Sequence, residues 1–117
     1  MLCTFNVHIL IDTMHAWRAS SFRPVIATFA CRATHRLWLG QRPAEFPATI
    51  LQTALRKLTQ LQAASSLNDL RIPPGNRLKA LQGNRQGQHS IRINDQWRIC
   101  FVWHDNGAYQ VEIVDYH

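Results

Sequence analysis

From Gln88 to Val114 the chain alternates apolar and polar residues, and a period of two leaves few folds open to it. Side chains of an extended strand point alternately to its two faces, so one face is buried while the other stays wet. Ile91 and Ile93 fall inward with Arg92 outward. Trp97, Ile99, Phe101 and Trp103 share one face, and Arg98, Cys100 and Val102 lie opposite. The side that holds both Arg98 and Cys100 is not simply solvent. Tyr109, Val111 and Ile113 make a last strand with Val114 beside them, and Leu78 and Leu81 flank a shorter run after Gly75. Asn94-Asp95 suits a tight turn. His104-Asp105-Asn106-Gly107 is the clearest hairpin signal, because Asn-Gly favours a type I′ turn.

Upstream the period changes. Ile50, Leu51, Ala54, Leu55, Leu58 and Leu61 recur at three- and four-residue steps, which predicts an amphipathic helix from Ala48 to about Ala64. Pro47 suits its first turn, and Arg56 and Lys57 are read as lying off the apolar stripe. Ser65 to Pro74 reads as a loop, with Pro73-Pro74-Gly75 as a breaker. Thr34 to Gly40 predicts one or two helical turns stopped by Gly40, and Ile26 to Phe29 a short first strand. Helices followed by an antiparallel meander give an α+β fold with helices on one face of a sheet.

The chain has 117 residues, 46% of them hydrophobic, which suits one domain with one core and excludes disorder throughout. Lys and Arg number 13 against 7 Asp and Glu, a net charge of +6. Lys57 and Lys79 are the only lysines, so the excess is arginine, whose planar fork pairs with phosphate and stacks on bases. That balance points to nucleic acid or an acidic protein partner. Cys3, Cys31 and Cys100 form no CxxC pair, which argues against a disulfide framework or a metal site and for reduced thiols. Residues 1–17 lack the basic start and cleavage pattern of a signal peptide and are too short and polar to span a bilayer, so a cytoplasmic location with no membrane partner is expected.

Cutting RNA without a metal needs groups that take a proton from the 2′-OH, return one to the leaving oxygen and neutralise phosphate charge. Asp115, Tyr116 and His117 supply a carboxylate, a phenol and an imidazole at the end of the sequence, and Arg85, Arg92 and Arg98 precede them in the meander. On spacing alone the signal is weak, and a terminal histidine is usually an exposed bystander. Trp97 continues the Ile99-Phe101 face and reads as core. Arg98 inside an apolar run needs a partner, for which Asp115 and a ligand phosphate are both open. His89 has three readings: proton carrier, base-stacking group or solvent-facing residue. His8, His15, His35 and His104 have no metal-like spacing and read as structural or exposed. Pro73-Pro74-Gly75-Asn76 lacks the lysine and glycine spacing of a phosphate loop and reads as a turn.

The run LNDLRIPPGNRLKALQGNRQGQHSIRINDQWRICFVW, with VEIVDYH at the end, resembles the HigB group of RelE-like toxins, also called plasmid-maintenance killer proteins. RLWLGQR and ALRKLTQL fit the same family, and the resemblance runs from about Ile26 to His117. It implies a toxin that enters the ribosomal A site and cleaves mRNA during translation, with a microbial-ribonuclease-type fold. It implies no cofactor. It implies a helix-turn-helix antitoxin, HigA-like, through which operator DNA is bound. Among site residues it implies that Asp115, Tyr116 and His117 belong to the functional tail and that Arg98 stabilises transition-state charge. It places Lys79 and Arg85 among RNA contacts; His89 and Arg92 are RNA-binding candidates from their own chemistry and not from the resemblance.

Two departures bear on activity: Gln82 stands where the family often has lysine, and His89 where it often has an aromatic residue. They leave open an alternative, a catalytically impaired antitoxin-binding module that acts in operon control. A general basic RNA-binding domain is a third reading. Residues 1–24 have no counterpart in the family, so they are expected to be an extension from an over-early start, with Val25 as the alternative start and 25–117 as the toxin domain. Intact mass of the native gene product tests this.

Overall fold

In this computed structural model residues 26–105 and 107–115 are described. The expected extension 1–24, Val25, Asn106, Tyr116 and His117 lie outside the described residues. A short helix α1 (Arg32–Trp38) and a longer helix α2 (Ala48–Ala63) precede four strands, β1 (Lys79–Ala80), β2 (His89–Arg92), β3 (Trp97–His104) and β4 (Gly107–Asp115). The strands form one antiparallel sheet in the order β1-β2-β3-β4. The fold class is α+β, as the change of period predicts.

Both helices end where local chemistry ends them. Gly40, at φ 95°, turns the chain after α1 in the left-handed region that a side chain rarely adopts. Pro47 caps α2 from outside, and its carbonyl accepts the Ile50 N–H at 3.1 Å. The stripe of Ile50, Leu51, Ala54, Leu58 and Leu61 is buried against Ile91, Ile99, Phe101, Val111 and Ile113 of the sheet. A fully buried leucine or phenylalanine contributes roughly 1.5–3 kcal/mol. Leu58 is entirely buried, and its change to Ala costs about 2–5 kcal/mol.

Three details differ from the sequence reading. Lys57 is buried rather than off the stripe, because its ammonium reaches Asn76 Oδ1 at 2.6 Å. It follows Ala54 by three and precedes Leu61 by four, so it shares their face. Ile26 and Phe29 make two isolated parallel bridges to Ala108 and Val111 rather than a full strand. The last hairpin pairs His104 with Gly107, so Gly107 opens β4 rather than lying in the turn.

The edge of β4 is covered by the segment that precedes α1 and by the first turn of α1 itself. Thr28 Oγ1 accepts the Gln110 N–H at 2.7 Å, the Thr28 carbonyl accepts the Val111 N–H at 3.1 Å, and buried Thr34 Oγ1 accepts the Ile113 N–H at 2.9 Å. A bulge lies there: the pairs Cys100–Glu112 and Val102–Tyr109 set Phe101 against both Gln110 and Val111. No helix among the described residues is long and apolar enough to cross a membrane.

Candidate active site

Register sorts the site residues by face, since directly paired residues project to the same side. Lys79, Ser90, Cys100 and Glu112 form one row across all four strands, and Arg92, Arg98 and Val114 form the row beside it. Ile91, Ile99 and Ile113 make the neighbouring row on the opposite face, inside the core. The outer face of the sheet therefore carries the cations.

Arg98 is tethered to β2 and to the turn before β1. Its Nε–H donates to Ser90 Oγ at 2.8 Å, and its Nη2 donates to the Arg77 carbonyl at 2.9 Å. Arg85 arrives on a 3-10 turn, Gly83–Arg85, and donates from Nη1 to Glu112 Oε2 at 2.9 Å and to Gln88 Oε1 at 3.1 Å. Arg92 pairs with Asp95. Lys79 is exposed on β1. Cys100 is fully buried beneath this layer, and burial raises its thiol pKa, with Arg85 and Arg98 pulling down and Glu112 pushing up. It is a small buried group between cations and carboxylate.

The two remaining described candidates fall on the other side of the alternation. His89 pairs with Phe101 and stacks on its ring at a centroid distance of 6.3 Å. Burial, then the Arg71 charge, lowers its pKa, and its buried Nδ1 has no hydrogen-bond partner among the described residues. Asp115 pairs with Trp97 and accepts the Gln96 Nε2 amide at 2.9 Å. Lys79, Arg85, Arg92 and Arg98 are thus brought to one region, while His89 and Asp115 face away from it. Tyr116 and His117 lie outside the described residues.

Sequence reasoning missed Ser90, Glu112 and the Arg77 carbonyl. Alternation put Ser90 on the side of Arg92, so a signal existed for it. Arg77 meets Arg98 only because of a tertiary turn, which no local pattern reveals. Among the described residues no group of three His, Cys, Asp or Glu side chains gathers as a metal site. The arrangement is suited to an anion. A guanidinium fixed on one side by a hydroxyl and a carbonyl is oriented before an anion arrives, with further cations around it.

Known proteins resemble this chain in sequence and in fold. The family model "RelE-like toxin of type II toxin-antitoxin system HigB" matches residues 33–117. Toxin HigB-1 of Vibrio cholerae serotype O1 is 50% identical over 77 residues, 61% of this chain and 81% of that protein. An uncharacterized protein of Haemophilus influenzae is 33% identical over 67 residues, 57% of this chain and 66% of that one. Among solved structures, the YoeB-YefM complex from Staphylococcus aureus contains a chain that matches with a TM-score of 0.50 and 21% identity, covering 82% of this chain and 99% of that one. That likeness concerns the fold. With a family match over the helices, the whole meander and its cationic face, the chain belongs to the HigB-like, RelE-like toxins of type II toxin-antitoxin systems.

Proposed function

We propose that this toxin is a ribosome-dependent mRNA endoribonuclease that inhibits translation. The observation that carries the reading is Arg98, tethered by Ser90 and the Arg77 carbonyl on the outer face of the sheet, with Lys79, Arg85 and Arg92 around it. Cleavage starts when the 2′-OH loses its proton and attacks the adjacent phosphorus. The P–O5′ bond then breaks, and the leaving oxygen takes up a proton. Arg98 stabilises the charge that builds on the phosphate. Tyr116 and His117 carry protons and orient the 2′-OH, while Asp115, which faces away from Arg98, is left out of the chemistry. Lys79, Arg85 and Arg92 contact the RNA strand, whereas His89, stacked on Phe101 on the other face, takes no part. The ribosome presents mRNA in an extended pose, which supplies much of the orientation the reaction needs. Side chains supply every charge and proton in this scheme, so no cofactor enters it.

The antitoxin partner follows from the toxin-antitoxin family and from the complex in which the Staphylococcus aureus fold relative was solved. We take it to be a HigA-like helix-turn-helix protein that carries the pair to operator DNA. A second reading has its own support: Glu112 and Asp95 neutralise Arg85 and Arg92, as suits an impaired module that retains antitoxin binding.

The test is tightly induced expression of the full chain, of Arg98→Ala and of a His117-deleted form, with growth followed and cleaved mRNA ends mapped. Arrest with in-frame mRNA cuts is expected from the intact chain. Cleavage falls about 10²–10³-fold in Arg98→Ala, the cost of removing one transition-state donor. Soluble protein that neither arrests growth nor cuts mRNA moves the assignment to the antitoxin-binding module.

A further inference from the structure

One buried amide joins the longer helix to the catalytic face. Asn76 is fully buried. Its Oδ1 accepts from Lys57 Nζ at 2.6 Å. Its Nδ2 donates to Gln60 Oε1 and to the Leu70 carbonyl, each at 3.1 Å. Its backbone N–H donates to the Pro73 carbonyl at 3.0 Å. Rotating the amide by half a turn would set NH2 against an ammonium and an oxygen against two acceptors, so it has one orientation. Burying Lys57 is costly. Burial first, then the charges of Arg56 and Arg92, lowers its pKa below the ordinary 10.5. Pro73-Pro74-Gly75 already supplies a turn, so turning the chain does not by itself call for a buried cation.

The next residue is what the clamp holds. Arg77 sits at φ 46° and ψ 55°, in the left-handed region, which costs a residue with a side chain roughly 1–2 kcal/mol. Such a conformation persists where its surroundings over-determine it. In it, the Arg77 carbonyl accepts from Arg98 Nη2 at 2.9 Å. A continuous line of contacts thus runs from Lys57 on α2, through Asn76 and Arg77, to the cation on the outer face.

We propose that Asn76, clamped by Lys57, is a positioning residue: it fixes the Arg77 carbonyl that, together with Ser90, aims the Arg98 guanidinium at the phosphate. The proposal rests on the endoribonuclease reading above. Asn76 touches no substrate and acts only through Arg98.

The test is a double-mutant cycle on the full-length protein, with mRNA cleavage on programmed ribosomes as the readout. Asn76→Ala is expected to lower kcat by about tenfold with KM little changed, as a slightly misplaced catalytic group does. In an Arg98→Ala background the same change should have no further effect on kcat, because its only route is already gone. Losses that simply multiply overturn the proposal. Asn76→Asp keeps the acceptor for the Lys57 ammonium and covers the case in which the alanine variant does not fold. It loses both Nδ2 donors and should follow the same non-additive pattern. A second readout needs no activity: exchange of the Arg98 Nη2 protons, which the Arg77 carbonyl accepts, with water, followed by NMR, speeds up in Asn76→Asp. Unchanged exchange overturns the positioning role. Absence of cleavage by the unaltered protein, with exchange responding as stated, sinks the nuclease reading alone.

Discussion

Ser90 Oγ accepts the Nε–H of Arg98 at 2.8 Å, diagonally across the β2–β3 ladder. Ser90 is fully buried although it belongs to the outer row. The arginine lies over the hydroxyl, and the bond fixes one edge of the guanidinium while the Arg77 carbonyl holds another. The relationship makes Ser90 part of the site without giving it any chemistry of its own.

Ser90→Ala should therefore separate rate from stability. Losing one hydrogen bond costs about 0.5–1.5 kcal/mol in urea denaturation. A guanidinium released from one of its anchors should lower kcat for mRNA cleavage about tenfold, in line with the sensitivity of catalysis to sub-ångström placement. Unchanged cleavage by a folded variant would show that Arg98 is oriented without the Ser90 hydroxyl.

Thr34 is the corresponding point on the far edge of the sheet. Its hydroxyl is fully buried and accepts the Ile113 N–H at 2.9 Å. Thr34→Val keeps the shape and strands that N–H, so the chain should lose about 1–3 kcal/mol, the cost of an unsatisfied buried donor. Chemical denaturation measures it directly. A loss near zero would mean that the N–H finds water at the edge.

The faces of the sheet were legible because alternation is local. Ile91 with Ile99 inward, and Arg92 with Arg98 outward, can be read from the chain without knowing which strand pairs with which. Register was not legible, since it depends on turn geometry. The His104–Gly107 pair puts Gly107 in β4 rather than in the turn. Lys57 shows a second limit. A lysine at a core-facing helix position reads as a stripe edge until a partner 19 residues away, Asn76, arrives to satisfy it. His89 shows a third. Its neighbours Ile91 and Phe101 already implied an inward face, but its chemical versatility drew attention to the outward one.

Gln110 occupies the bulge with φ 54°. Glycine adopts this region without penalty, whereas a residue with a side chain pays roughly 1–2 kcal/mol there. Glycine also raises the entropy of the unfolded chain, which removes part of the gain. Because Gln110 is exposed, little packing is lost. Gln110→Gly should stabilise the fold by a net amount of about 0.5–1 kcal/mol, seen as a higher urea midpoint. Destabilisation would show that the glutamine side chain makes up for the strain.

The histidines set the acid limit. His35 is buried, stacks on Phe29 at 5.0 Å, and its Nε2 has no hydrogen-bond partner among the described residues. Burial lowers its pKa below the ordinary 6.5, and burial followed by the Arg71 charge lowers that of His89. In both cases the unfolded chain binds the proton more tightly than the folded one. Stability is therefore complete above the unfolded pKa and is lost as pH falls through 6.5 toward the folded values. Each histidine contributes a slope of at most about 1.4 kcal/mol per pH unit. Urea midpoints measured at about pH 7.5 and about pH 5.5 should fall toward acid. The drop should shrink in His35→Phe, which keeps the stack and removes the titration. An equal drop in the variant would assign the acid sensitivity to groups other than His35.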